Sequence, residues 1–234
     1  MRRPVVAIDG PAGAGKSTVT KRVADELGYL LVDTGALYRT VALAALRAGV
    51  SWDDGDALGA LAYQLVAEHA VVLGNQNSSG FTVKLRDEDV SLAIREPSVS
   101  QGASKVSAVP AVRDALLDMQ RQAGAEGGVV LEGRDIGTVV FPNAEAKFFL
   151  TASVDIRARR RFDELLARGA RAELAEVKRE VAERDLRDST RPIAPLKQAS
   201  DAQVIDSSVL SIDQVVARIV KRVREVEAEL GAPV

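Results

Sequence analysis

The feature that most constrains this chain is a strand running straight into a phosphate cradle: Pro4-Val5-Val6-Ala7-Ile8-Asp9, then Gly10-Pro11-Ala12-Gly13-Ala14-Gly15-Lys16-Ser17-Thr18. Residues 10–17 match GxxxxGK(S/T) in full. Glycines at these places let backbone N–H groups turn inward around phosphate oxygens, Lys16 adds a mobile positive charge, and the Ser17 hydroxyl is a ligand for Mg²⁺. The setting is the one the motif demands. Val5 to Ile8 is an apolar run of strand length, and Val19, Val23, Ala24 and Leu27 share one helical face. A glycine-rich turn before a helix would need no Lys-Ser pair at this spacing. The stretch therefore points to a nucleoside triphosphate bound by Gly10, Pro11, Ala12, Gly13, Ala14, Gly15, Lys16, Ser17 and Thr18, with the metal on Ser17.

The rest of the chain suits an α/β body. Short apolar segments at Val5–Ile8, Tyr29–Val32, Val129–Leu131, Lys147–Leu150 and Gln203–Ile205 alternate with helical patterns, which predicts a five-stranded parallel sheet flanked by helices. In such sheets ligands gather at the carboxyl ends of the strands. Asp9, Asp33-Thr34, Glu132-Gly133-Arg134-Asp135 and Asp206 all fall at or just after strand ends, though each on its own is also a common cap or turn residue. Two stretches break the rhythm. Residues 71–91 read as an antiparallel hairpin around the loop Gly74–Gly80, and Arg168-Gly169-Ala170-Arg171 reads as the tip of a short helical lid spanning about 157–172. The end of the chain predicts an amphipathic helix over 212–230, with Ile212, Val215, Val216, Ile219, Val220 and Val223 as its buried stripe. With 234 residues and 47% hydrophobic content, one domain carrying an insertion and a lid is expected.

Charge narrows the partners. A net charge of −2 supplies no general basic field, so nucleic acid is not expected as a partner. The chain has no cysteine, which removes disulfides, thiolate metal sites and cysteine nucleophiles. A core strand beginning at Pro4 leaves no room for a signal peptide, and no apolar run approaches membrane-spanning length, so a soluble cytoplasmic monomer is expected. Residues 155–191 hold ten of the 23 arginines among nine acidic residues. For Arg159, Arg168, Arg171 and Arg179 the reading is a solvated helix laced with i,i+4 pairs. Arg157, Arg160 and Arg161 follow a strand on a predicted helix, and Arg157 and Arg161 are assigned to the transferred phosphate. Arg47, Arg86 and Arg95 are assigned to the surface, and His69, the only histidine, to a helix end without catalytic duty.

A phosphate loop alone serves switches, motors, transporters and kinases. What accompanies it here is acceptor chemistry, because arginine is planar, permanently charged and bidentate toward phosphate oxygens. The sequence resembles the bacterial cytidylate kinases along nearly its whole length. The resemblance rests on the Asp9-Gly10-Pro11 lead, the segment Asp33-Thr34-Gly35-Ala36-Leu37-Tyr38-Arg39, Ser104 with Arg113, the block Glu132-Gly133-Arg134-Asp135-Ile136-Gly137-Thr138-Val139-Val140-Phe141-Pro142, and Arg184-Asp185-Leu186-Arg187-Asp188-Ser189-Thr190-Arg191. Thr34 stands where relatives often carry serine, which keeps the hydroxyl.

The resemblance implies a P-loop kinase that moves the γ-phosphoryl of ATP to CMP or dCMP with Mg²⁺. Its monophosphate site would comprise Thr34, Tyr38, Arg39, Ser104, Arg113, Arg134, Asp135, Arg184, Asp188 and Arg191, in a monophosphate-binding part over about 36–110. Lys16, Arg134, Arg157, Arg161 and Arg191 would serve the transfer. Asp135 suits the N4 amino group of cytosine, while Arg113 and Ser104 suit its acceptors. Asp9 or Asp33 is the candidate to hold Mg²⁺ through water. The nearest rival is another small-molecule kinase of this fold, for UMP, AMP or shikimate. A regulatory switch stands further off, since no Asn-Lys-x-Asp guanine-reading motif is found.

Overall fold

Strand β1 (Val5–Asp9) is buried along its whole length and paired on both edges, which is why it reads as an unbroken apolar run. The computed structural model describes residues 3–76 and 80–231. After β1 come α1 (Lys16–Leu27), β2 (Leu30–Asp33), α2 (Thr34–Arg47), α3 (Gly55–Ala67), β3 (Val71–Gln76), β4 (Gly80–Leu85), β5 (Glu88–Asp89), α4 (Pro97–Val106) and α5 (Pro110–Ala123). Then follow β6 (Val129–Gly133), β7 (Ala146–Thr151), α6 (Val154–Ala167), α7 (Leu174–Thr190), β8 (Gln203–Asp206) and α8 (Ile212–Gly231). The predicted five-stranded parallel sheet is present, in the order β2-β6-β1-β7-β8. The chain divides into two compact units, one running to Tyr29 and resuming at Gly127, the other Leu30–Glu126.

In the first unit the registers Asp9↔Gly133, Asp9↔Phe149 and Thr151↔Asp206 bring the carboxyl ends of β1, β6, β7 and β8 to one edge of the sheet. Crossover connections require this of parallel strands, and it gathers polar strand-end residues that lie far apart in sequence. Helix α8 covers part of the unit with Val215, Val216, Ile219, Val220, Val223 and Val226. Ile212 does not belong to that stripe. It opens the helix and is 46% exposed, while the heptad spacing from Ile219 carries the buried face on to Val226.

In the second unit α2 packs on α4 and α3 on α5 around Leu37, Val41, Leu58, Leu65, Val106 and Leu116. The antiparallel insertion has three strands, β3-β4-β5, one more than the hairpin predicted. Its strands are also longer than their apolar runs, reaching Gln76 and starting again at Gly80, and residues 77–79 of the predicted loop lie outside the described residues. Gly74 looked like the start of a turn but is a strand residue paired with Thr82. A Cβ at Gly74 would stand 2.6 Å from the Thr82 hydroxyl, so the pairing explains the glycine. His69 follows α3 at φ 50°, at a helix end as predicted.

Gly102 in α4 admits Trp52, whose indole N–H donates to the Ala42 carbonyl at 3.0 Å. A Cβ on Gly102 would lie 2.4 Å from that ring. Gly102→Ala is expected to destabilise the protein by about 1–3 kcal/mol through overpacking, read as a lower midpoint in thermal unfolding.

Candidate active site

In the first unit β1 ends where the chain must turn sharply inward. Gly10 has φ +149°, and a Cβ there would sit 1.9 Å from the Leu150 carbonyl oxygen of β7, so only glycine passes. Gly15 caps α1 in the left-handed region with no side-chain cap, which leaves the first-turn N–H groups of α1 free to meet an anion. Lys16 opens that helix, and its ammonium donates to the carbonyls of Gly10 at 2.7 Å and Pro11 at 2.8 Å. Burial pushes the Lys16 pKa down to about 7, the Arg134 charge adds to this, and Glu132 and Asp9 oppose it. Phosphate oxygens would supply the opposite charge this lysine calls for.

Two side chains brace the loop from outside. Arg157, buried on α6, donates Nη1 to the Ala12 carbonyl at 3.1 Å and Nε to the Ala152 carbonyl at 2.8 Å. It also makes a two-pronged pair with Asp185 of α7, at 3.0 and 2.6 Å. Ser207, just beyond β8, donates to the Ala14 carbonyl at 3.0 Å and is itself held by Arg160 at 3.1 Å. Arg161 points elsewhere, to Glu164 on the surface at 3.0 Å. Arg159, Arg168 and Arg179 make surface pairs with Asp163, Glu164 and Glu176, as expected of a solvated helix, whereas Arg171 lies between α6 and α7, outside either helix. Asp206 accepts from the Ser208 N–H at 2.8 Å and serves as a turn residue.

The carboxylates at the strand ends divide the remaining tasks. Ser17 Oγ donates to Glu132 Oε2 at 3.1 Å, so the acid beside the Ser17 hydroxyl is Glu132. Asp9 instead accepts from the Ile136 and Gly137 N–H groups, at 2.9 and 2.8 Å. Burial raises the Asp9 pKa to about 6 against the pull of those two hydrogen bonds, and Asp135 raises it further. Beside them Arg134 Nε donates to Asp188 at 2.8 Å, and Arg191 Nη2 to Asp135 at 3.2 Å. Burial alone would raise the Asp188 pKa, but the charges of Arg134, Arg184 and Arg191 outweigh it and hold the pKa below the usual carboxylate value. Thus Lys16, Ser17, Arg134, Asp135, Arg184, Asp188 and Arg191, named from separate stretches of sequence, come together with Glu132 at the carboxyl edge of the sheet.

The second unit holds the other named residues. Asp33 caps α2 by accepting from Ala36 N–H at 3.1 Å, and its second oxygen accepts from Arg39 Nη2. Arg113 lies over the Tyr38 ring at 5.4 Å and donates to the Ser107 carbonyl at 3.3 Å. Thr34 and Ser104 are buried, on α2 and α4. Sequence reasoning missed the roles of Glu132, Asp185 and Ser207. The placement of Glu132 at a strand end was a signal; the Asp185 and Ser207 contacts left none.

Comparison with known proteins gives the family. The family model for cytidylate kinase matches residues 6–225. A cytidylate kinase of Geobacter sulfurreducens is 53% identical, with 95% of this chain and 94% of the relative covered. One from Syntrophotalea carbinolica is 50% identical, with 96% and 93% covered. A solved structure of an uncharacterized protein from Eubacterium ventriosum has a TM-score of 0.51 at 12% identity, covering 95% of this chain and 99% of its own, a likeness of fold alone. With the family model matching residues 6–225 and relatives at 50–53% identity over 95–96% of the chain, the chain belongs to the cytidylate kinase family.

Proposed function

We propose that this enzyme transfers the γ-phosphoryl group of ATP to the 5′-phosphate of CMP or dCMP, giving CDP or dCDP and ADP. The observation that supports the reading is that Arg134 and Glu132 act on Lys16, Ser17 bonds Glu132, and Arg191 pairs with Asp135 at the same strand end, a grouping that suits an anionic acceptor next to a triphosphate loop. Loop amides from Gly13 to Thr18 and the Lys16 ammonium hold the β and γ phosphates. Among the described residues no group of three His, Cys, Asp or Glu side chains could hold a metal by itself. The hard oxygens of Ser17 and Glu132 nonetheless fit Mg²⁺ carried in on the nucleotide, Ser17 as direct ligand and Glu132 behind it. When bound, the ion would neutralise charge on the phosphate oxygens.

For the acceptor, Asp135 takes the N4 amino group of cytosine, while Arg113 and Ser104 donate to its ring acceptors. Uracil would set its O4 acceptor against the Asp135 carboxylate, and opposed buried polar groups discriminate by up to about 10⁴-fold. Arg39, Arg134 and Arg191 take the acceptor phosphate, Arg184 and Asp188 the ribose hydroxyls, and Thr34 and Tyr38 the floor of the site. No general base is required, since a phosphate monoester with a second pKa of about 6 is already ionised at neutral pH. The remaining task is to gather two polyanions and neutralise charge spread over the oxygens in flight. The α6–α7 hairpin acts as the lid that keeps water from competing as acceptor.

The decisive experiment is ADP release from Mg-ATP with CMP, dCMP, UMP, AMP and GMP supplied in turn. Turnover is expected with CMP and dCMP far above the others, and Asp135→Ala should lose CMP use selectively while ATP still binds. Activity on another acceptor, or equal damage to CMP and UMP kinetics in Asp135→Ala, would overturn the base assignment. Lys16→Ala is expected to stay folded and lose about 10²-fold or more in kcat, measured in the same assay beside its circular dichroism spectrum.

A further inference from the structure

Beyond β6 the backbone makes a π-helical turn, Ile136–Val140, in which the Asp135 carbonyl accepts from the Val139 N–H at 2.9 Å and the Ile136 carbonyl accepts from the Phe141 N–H at 2.7 Å. The N–H groups that open such a turn have no partner within it, and no side chain of the turn caps them. Asp9 caps them from another strand. Its two oxygens accept from Ile136 and Gly137, at 2.9 and 2.8 Å, and the residue is only 4% exposed. Asp9 lies opposite Gly133 in the β1–β6 register, so the cap is set by sheet geometry. The far end of the turn is held by Lys147, which donates to the Pro142 carbonyl and pairs with Asp201 at 2.8 Å. Arg134 and Asp135 are the two residues between strand and cap. Their side-chain directions follow from the backbone that Asp9 fixes.

We infer that Asp9 is a positioning residue for acceptor recognition: it touches no substrate, but its paired hydrogen bonds aim Asp135 at the base and Arg134 at the acceptor phosphate. This rests on the acceptor reading above. Asp9 is also the last residue before Gly10, so one strand end both starts the donor loop and caps the acceptor turn. Asparagine is the same size but offers one acceptor and one N–H₂ group, so Asp9→Asn sets a donor against one of the two turn N–H groups.

The test is steady-state kinetics of wild type and Asp9→Asn with ATP, CMP and UMP. The kcat/KM for CMP is expected to fall about 10- to 100-fold, with KM for ATP changed about twofold or less, and the CMP-to-UMP preference to shrink about 10-fold. A merely structural residue would lower the active fraction and scale every acceptor alike, leaving that preference intact. Gly137→Ala perturbs the same turn with the Asp9 carboxylate in place, since its Cβ would meet Lys147 Cδ at 3.2 Å and Asp9 Oδ2 at 3.5 Å. The same acceptor-selective loss is expected there, and that variant carries the test if Asp9→Asn fails to fold. A wild type that does not distinguish CMP from UMP overturns the reading of Asp135, whereas a selective wild type with equally selective variants overturns the role of Asp9 alone.

Discussion

The turn out of the central strand at Gly10 governs the rest of the site. Because β1 is paired on both edges, its end cannot drift, and the next residue must pass within contact of the Leu150 backbone on the neighbouring strand. Only a residue without Cβ can do so. From there the loop curls around the Lys16 ammonium, which takes the Gly10 and Pro11 carbonyls, and α1 begins with its N–H groups uncapped by any side chain. The anion site thus follows from a steric restriction at one glycine and from helix ends that have no other way to satisfy their donors.

Such a site would be self-repelling if its cations were left alone. Among the described residues of the first unit, Arg134 pairs with Asp188, Arg157 with Asp185 and Arg191 with Asp135, and in the second unit Arg39 pairs with Asp33. Pairing fixes the guanidinium planes before a substrate arrives, which lowers the ordering cost of binding. It also sets a threshold, since on the proposed reading an incoming phosphate would have to attract Arg39, Arg134 and Arg191 more strongly than their carboxylates do.

Features legible in the sequence were local. The phosphate loop, the apolar strands and the α8 stripe each declare themselves within a few neighbouring residues, by motif or by period. The contacts that complete the site are not local. Ser17 meets Glu132 from 115 positions away, Arg157 meets Ala12 from 145, and Ser207 meets Ala14 from 193. No periodicity encodes such pairs, because they are made by the sheet when it brings strand ends together. The antiparallel insertion was legible too, but the bounds of its loop were missed for a different reason. Gly74, Asn75 and Gln76 carry turn chemistry, yet cross-strand pairing with Thr82, Phe81 and Gly80 overrides it, the usual fate of weak local preferences in a paired strand.

The same distinction decides what the α6 arginines can do. Arg157 and Arg161 are one helical turn apart and read alike in sequence, but Arg157 is buried and committed to four hydrogen bonds, whereas Arg161 makes a single surface pair. To reach a phosphoryl group in flight, Arg157 would have to release Asp185 or the Ala12 carbonyl. Leaving a partly buried carboxylate or a loop carbonyl unpaired costs about 1–3 kcal/mol for each group. Its present contacts tie α6 and α7 to the back of the phosphate loop. Closure of the hairpin over a nucleotide would therefore be transmitted to the loop through Arg157, while Arg161, held only by a solvent-screened pair, is the residue of the two that can move at little cost.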